Sequence, residues 1–153
     1  MVIIMLMRHG KAEPKSESKP DEERGLTEEG RREIKAVAKC LTRPSIIYTS
    51  PLKRAMETAS IIAEFFKNVR VEKADFLAPG KLNLGVLLES VHPGALYISH
   101  NPQLEEVLGE LKINVEMKPA SVAILDLMKR KLIALLNPSF CIECERALTD
   151  SSE

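Results

Sequence analysis

The sequence predicts an α/β fold: a three-layer α/β/α sandwich with a mostly parallel central sheet and helices on both faces. Three observations carry that expectation. The apolar pattern switches repeatedly between short continuous runs and stripes of helical period. Strand-like and helix-like segments alternate, which calls for parallel strands joined by crossovers. The first run, Val2–Met7, has no polar residue, as a strand covered on both faces requires. With 153 residues, 44% of them apolar, the chain can build one domain around a proper core.

The elements follow in order. After the Val2–Met7 strand comes a polar loop over residues 11–24, with Pro14, Pro20 and nine charged side chains; a loop this long is usually a functional or mobile segment. Thr27 is placed to cap a helix whose first turn holds Glu28 and Glu29, where negative charge suits the macrodipole. Ile34, Val37, Ala38 and Leu41 form its apolar stripe, and Pro44 stops it. Ser45–Thr49 reads as a second buried strand. Ser50-Pro51 then reads as cap and first helical residue, with Met56, Ala59, Ala63 and Phe66 on the buried face. A weaker strand over Arg70–Glu72 precedes a turn at Pro79-Gly80 and a short helix near Leu82–Ser90. Ala95–Ser99 is a further strand. Asn101-Pro102 opens a helix with Leu104, Val107, Leu108 and Leu111 on one face, and Ser121–Leu127 with Lys131–Leu136 reads as a closing hairpin.

Composition excludes several classes. Lys and Arg total 22, as do Asp and Glu, so the chain has no basic excess with which to displace counterions from nucleic acid. Aromatics at 4% with no Trp argue against a base-stacking platform. The longest apolar run, Met1–Met7, is too short to span a bilayer and lacks a cationic leader, so no membrane partner is expected. Three cysteines, an odd number, speak against a secreted disulfide framework, and the cytoplasm is the expected location.

In parallel sheets ligands gather at the carboxyl ends of the strands. Three such ends carry reactive or cationic groups: Arg8-His9-Gly10, Ser50-Pro51-Leu52-Lys53-Arg54 and Ser99-His100-Asn101-Pro102. Two of the three histidines lie there; the third, His92, precedes Pro93-Gly94 at the opposite edge. Helical side chains tilt toward the helix N-terminus, so Arg54, expected off the face of Met56 and Ala59, points back over the strand ends. Arg8, Arg54, His9 and His100 then offer two permanent cations and two imidazoles beside two helix N-termini, which suits a tetrahedral dianion. A metal at His9 and His100 lacks a neighbouring carboxylate at ligand spacing.

The run Leu6-Met7-Arg8-His9-Gly10 resembles the RHG signature of the histidine phosphatase superfamily, the phosphoglycerate mutase-like fold. The resemblance continues through Arg24-Gly25-Leu26-Thr27-Glu28-Glu29-Gly30 and Thr49–Ala59, resumes at Ser99-His100-Asn101-Pro102, and covers roughly residues 1–127. The short chain, the Leu-Thr-Glu-Glu-Gly box and the His-Asn-Pro ending look like the small SixA branch, a phosphohistidine phosphatase. The resemblance implies one histidine phosphatase domain over 1–137, with 138–153 as a polar C-terminal tail.

It also implies roles. His9 is the nucleophile of a phosphohistidine intermediate, Arg8 and Arg54 clamp the phosphoryl oxygens, and His100 donates to another oxygen, best when protonated. Arg24, just before the Leu-Thr box, is either a further anion ligand or a solvated charge. No metal or other cofactor is called for, since the arginines hold the electrostatic position. Larger relatives bring a carboxylic acid to the leaving group. Here Asp75, Glu89 and Glu13 are the candidates and none is placed, which favours a phosphoramidate such as phosphohistidine. The expected partner is a phosphorylated protein or a small phosphorylated substrate, with phosphate as product. A general phosphomonoesterase and a non-catalytic phospho-ligand binder remain alternatives. Compensating acids such as Glu28, Glu29, Glu105 and Glu106 are expected on helices away from the pocket. Cys40 is expected in the core, and Cys141 and Cys144 form a single C-x-x-C with three readings: bystander thiols, a structural disulfide, or a metal or redox pair.

Overall fold

The computed structural model describes residues 1–151. Six strands form one sheet: β1 (Ile3–Arg8), β2 (Ile47–Thr49), β3 (Val71–Lys73), β4 (Leu96–Ser99), β5 (Val122–Asp126) and β6 (Lys131–Leu136). Their order is β3-β2-β4-β1-β5-β6. The first four are parallel neighbours; β5 and β6 add an antiparallel hairpin on the far side of β1.

Helices α1 (Glu28–Ala38), α2 (Lys53–Phe66) and α5 (Pro138–Ser151) share one side with Met5 and Met7 of β1. Helices α3 (Leu84–Glu89) and α4 (Gln103–Glu110) share the other with Ile4 and Leu6. Alternate residues of β1 thus feed two separate cores, which is why Ile3–Met7 holds no polar position before Arg8 at the strand end. The three-layer expectation holds. Among the described residues no helix is long and apolar enough to cross a membrane.

Helix α1 starts as its sequence predicts. Thr27 is extended, and its hydroxyl accepts from the Gly30 N–H at 3.0 Å. Its first turn lies against the start of the 11–24 loop, since a Cβ on Gly30 would fall 2.4 Å from the Lys11 carbonyl oxygen. Thr27 N–H also donates to that carbonyl, at 3.0 Å. Glu57 of α2 accepts from Leu26 N–H at 2.9 Å and pairs with Arg31, locking the two helices together. Helix α3 is capped by the Asn83 side chain on Val86 N–H at 2.9 Å.

Several expectations are corrected. Ser50 and Pro51 precede α2 instead of opening it, and Leu52, still extended, is the cap. The register of α2 rotates with that delay. Its buried face is Arg54, Ala55, Thr58, Ala59 and Ile62, with Met56 only partly covered, so Arg54 lies on the inward face and not beside it. Residues 138–151, expected as a polar tail, form α5; Cys141 buries itself in the core cluster of α1 and α2, and Glu145 pairs with Lys39. The sequence signal was weak because the apolar residues of α5 do not fall on one face: Cys141 is buried while Phe140 and Leu148 are exposed. Cys40 is exposed, because α1 ends at Ala38 and the chain has left the helix there. All three cysteines are free thiols, and burial together with Cys40 and Cys144 pushes the Cys141 thiol up to about 12, which leaves it inert.

Candidate active site

Parallel pairing sets Arg8 opposite Ser99 and Thr49 opposite Ile98, so the residues that follow β1, β2 and β4 emerge at one edge. The backbone continues that alignment beyond the strands: His9 N–H donates to Ser99 O at 3.1 Å and Ser50 N–H to Ile98 O at 3.0 Å. The His9 and His100 rings lie 5.0 Å apart. A cleft of about 470 Å³ opens over them, and Arg8, His9, Arg24, Arg54 and His100 all line it. The five residues singled out from sequence are therefore brought together. His92 is exposed on the far edge, near Tyr48.

His9 has a defined tautomer. Its Nδ1 lies 2.7 Å from the Gly10 carbonyl, an acceptor only, so Nδ1 carries the proton and Nε2 keeps a lone pair. Burial, with Arg54, Arg8 and Arg24 nearby, lowers its pKa to about 4 although the Gly10 contact opposes that, and the ring is neutral at pH 7. The turn behind it is fixed. Gly10 N–H donates to the Thr58 hydroxyl at 3.0 Å, and that hydroxyl donates to Arg54 O at 2.8 Å. A Cβ on Gly10 would sit 2.5 Å from Ile34 Cδ1, so α1 packs directly beneath the turn.

Arg54 is 5% exposed. Its Nε faces His9 Nε2 at 3.3 Å. Arg8 donates through Nη1 to Met117 O at 2.9 Å, while its buried Nε has no partner. Burial pulls both guanidinium pKa values down, against Glu105 at Arg8 and Asp21 at Arg54, as expected of cations stripped of water.

His100 Nε2 lies 2.7 Å from the Ser50 hydroxyl, which also accepts from Leu52 N–H at 3.3 Å. Ser50 Oγ and His100 Nε2 share one proton between them, and His100 Nδ1 is buried without a partner. Burial first, then His9 and Arg54, lowers the His100 pKa to about 3. In the unliganded protein the His100 ring is neutral; its protonation is expected beside a bound dianion. The buried Arg8 Nε–H and His100 Nδ1 both lack a partner at one site, and a bound anion would satisfy the Arg8 donor.

Arg24 is 13% exposed, so it is no solvated loop charge; it donates to Asp21 Oδ1 at 2.8 Å and to Glu13 O at 2.6 Å. Asp21 is the residue that sequence reasoning missed. It begins a 3-10 turn, Asp21–Glu23, and is the one carboxylate lining the cleft among the described residues. Its signal was an opposite charge three positions before Arg24 inside a run with no periodicity.

The three acid candidates are elsewhere. Glu13 accepts from Gly25 N–H at 2.9 Å and pairs with Lys19, while Asp75 and Glu89 are exposed away from the cleft. Glu105 is nearer than expected: it accepts from Asn101 Nδ2 at 2.6 Å and from Met117 N–H at 2.9 Å, holding the segment that receives Arg8. Among the described residues no group of three or more His, Cys, Asp or Glu side chains is disposed to hold a metal ion.

Residues 4–78 match the histidine phosphatase superfamily (branch 1). No curated protein matches the chain. Among solved structures, a protein of Agrobacterium tumefaciens assigned as the phosphohistidine phosphatase SixA is 24% identical, with a TM-score of 0.76 over 90% of this chain and 98% of that one. The protein histidine phosphatase SixA complexed with tungstate is 23% identical, with a TM-score of 0.75 over 90% and 97%. A phosphoserine phosphatase of Entamoeba histolytica, in complex with 3-phosphoglyceric acid, is 18% identical, with a TM-score of 0.67 over 90% and 98%.

Proposed function

The chain belongs to the histidine phosphatase superfamily, and from that membership we propose that it hydrolyses a phosphoryl group through a covalent intermediate on His9, with a protein phosphohistidine as substrate. The observation that carries the reading is the neutral His9, its lone pair on Nε2, beside the unpartnered Arg8 Nε–H and the buried His100 ring. Nε2 attacks phosphorus in line; the N–P bond forms as the bond to the leaving group breaks. Arg8, Arg54, Arg24 and His100 hold the equatorial oxygens. Water then attacks phosphorus, the N–P bond breaks, and phosphate leaves with His9 restored.

The choice of substrate rests on the missing acid. Burial alone would raise the Asp21 pKa, but the Arg24 hydrogen bond and the Arg54 charge outweigh it and hold the carboxyl below its usual range. Asp21 is ionised at neutral pH and has no proton to give an alkoxide. A phosphohistidine nitrogen leaves without one from the enzyme, because it is protonated by solvent. Among the described residues no second domain covers the cleft, which leaves it open to a side chain on another protein.

A phosphohistidine protein carrying labelled phosphate is the test. Wild type should pass through an acid-labile, base-stable phosphoryl-enzyme and release phosphate. His9→Ala should show no label and lose turnover by about a thousandfold or more. Full turnover in His9→Ala would overturn the reading. Activity confined to alkyl and aryl phosphates would instead support a small-molecule phosphomonoesterase, as the fold shared with the phosphoserine phosphatase of Entamoeba histolytica allows.

A further inference from the structure

Asp21 occupies the arginines that the proposed mechanism needs. Its Oδ2 lies 3.2 Å from Arg54 Nη2, its main-chain oxygen accepts from Arg54 Nη1 at 2.9 Å, and its Oδ1 accepts from Arg24 Nε at 2.8 Å. Both outer nitrogens of Arg54 therefore meet this one residue, and the inner one faces His9. The Arg54 side chain is 6% exposed and that of Asp21 is 42% exposed, so the carboxylate sits at the rim with one side to the cleft and one to solvent.

Its position is held by the loop around it. Arg24 also donates to Glu13 O, and the Glu13 carboxylate holds Gly25 N–H. Two bridges, Ala12 with Leu26 and Ser16 with Lys19, close the loop on itself. The other charges at the mouth are mostly neutralised, Lys11 by Glu29 and Lys19 by Glu13. Lys15 is the further lysine on this rim.

We propose that Asp21 is a specificity-determining residue: a resident carboxylate that disfavours substrates with a second anionic group beside the phosphoryl group and favours leaving groups that carry positive charge. The inference rests on the phosphatase reading above. A phosphoryl dianion seated on Arg8, Arg54 and His100 shares Arg54 with Asp21. The substrate atoms beyond phosphorus must then leave past the carboxylate. A cationic leaving group finds a partner there, as an imidazolium or an ammonium would. A carboxylate at the same place meets a like charge a few ångströms away in a partly desolvated cleft. The same residue limits how tightly free phosphate is held, because two anions compete for one guanidinium.

Three aryl phosphates that differ only in a ring substituent (methyl, carboxylate or aminomethyl) separate leaving-group charge from phosphoryl chemistry. In wild type, kcat/KM should rank aminomethyl over methyl over carboxylate. In Asp21→Asn the ratio of aminomethyl to carboxylate substrate should fall about tenfold, and inorganic phosphate measured by calorimetry should bind several-fold tighter. Asp21→Glu should restore the wild-type ratio. A loosened loop lowers all three rates together and leaves their ratio alone, so the ratio reports charge and not folding. An unchanged ratio and unchanged phosphate affinity in a folded Asp21→Asn overturn the inference and leave the phosphatase reading standing. Where wild type binds phosphate but turns over none of the three substrates, the phosphate affinities alone decide. Absence of both hydrolysis and phosphate binding in wild type overturns the phosphatase reading, and this inference with it.

Discussion

At the scale of single residues, the site works by removing water from charges and then leaving them short of partners. His9 shows the consequence most directly. An exposed histidine loses its proton near pH 6.5, whereas His9, buried beside Arg54, Arg8 and Arg24, does so near about 4. A nucleophile must be unprotonated, so the free enzyme should keep its competence through mildly acidic pH. With substrate ionisation divided out, the acid limb of kcat/KM should have its midpoint well below pH 6, toward about 4. A midpoint near 6.5 would mean that the ring is solvated and the three arginines do not act on it. The residues behind this behaviour were legible in sequence for a geometric reason. Parallel strands deliver their carboxyl ends to one edge, so Arg8, His9 and His100 could be placed before any contact was known. Asp21 could not, because its position depends on how residues 11–24 fold back on themselves, and that is decided by Glu13, Arg24 and Lys19 rather than by any period.

At the scale of elements, helix starts carry most of the precision. All six strands and the apolar faces of α1 and α4 follow from the hydrophobic pattern, but the onset of α2 does not. Two residues of delay after Ser50 turn Arg54 inward and free the Ser50 hydroxyl to orient His100. The Ser-Pro pair reads as a cap locally; the competing partner, His100, is fifty residues away and invisible to a local pattern. Helix α5 was lost for the related reason that its core contact is short, made by Cys141 with the partly covered Ile142, while Phe140 and Leu148 stay exposed and blur any apolar stripe. Helix α1 offers a test of how its start supports the loop. Gly30→Ala gains about 1 kcal/mol of helix propensity, yet its methyl must displace the Lys11 carbonyl, which lies 2.4 Å from the ideal Cβ. Backbone cannot swing aside as a side-chain tip can, so overpacking of about 1–3 kcal/mol should win. Urea unfolding should show Gly30→Ala as the less stable protein, with turnover reduced because Lys11 roots the loop that carries Asp21 and Arg24. A variant more stable than wild type would show that the loop root yields freely.

At the scale of the whole molecule, a net charge of zero hides a separation of signs. Arg8, Arg24 and Arg54 meet at one sheet edge. The acids that offset them are closer than the sequence suggests, Asp21 in the cleft itself and Glu105 behind Met117. Burial first, and then the cations concentrated there, keep the two imidazoles neutral, and this ties global stability to pH. In the unfolded chain a histidine takes up its proton near pH 6.5, while folded His9 and His100 hold off until about 4 and about 3. Between those values the unfolded state binds more protons, so stability is full above about pH 6.5 and falls as pH drops. Each ring contributes at most about 1.4 kcal/mol per pH unit, the pair about 2.7. Asp21 and Glu13, both held below the ordinary carboxylate range, stay ionised until lower pH, so the interval from pH 6.5 to 5 reports the histidines. Denaturant unfolding across that interval should give a slope near the two-histidine value in wild type and about half of it in His9→Asn. Saturating phosphate should flatten the wild-type slope, because an anion among these groups favours the protonated rings, and should itself add about 2.7 kcal/mol at a hundred times its Kd. A wild-type slope near zero would show that both imidazoles remain solvated, and with them the cations said to hold them neutral.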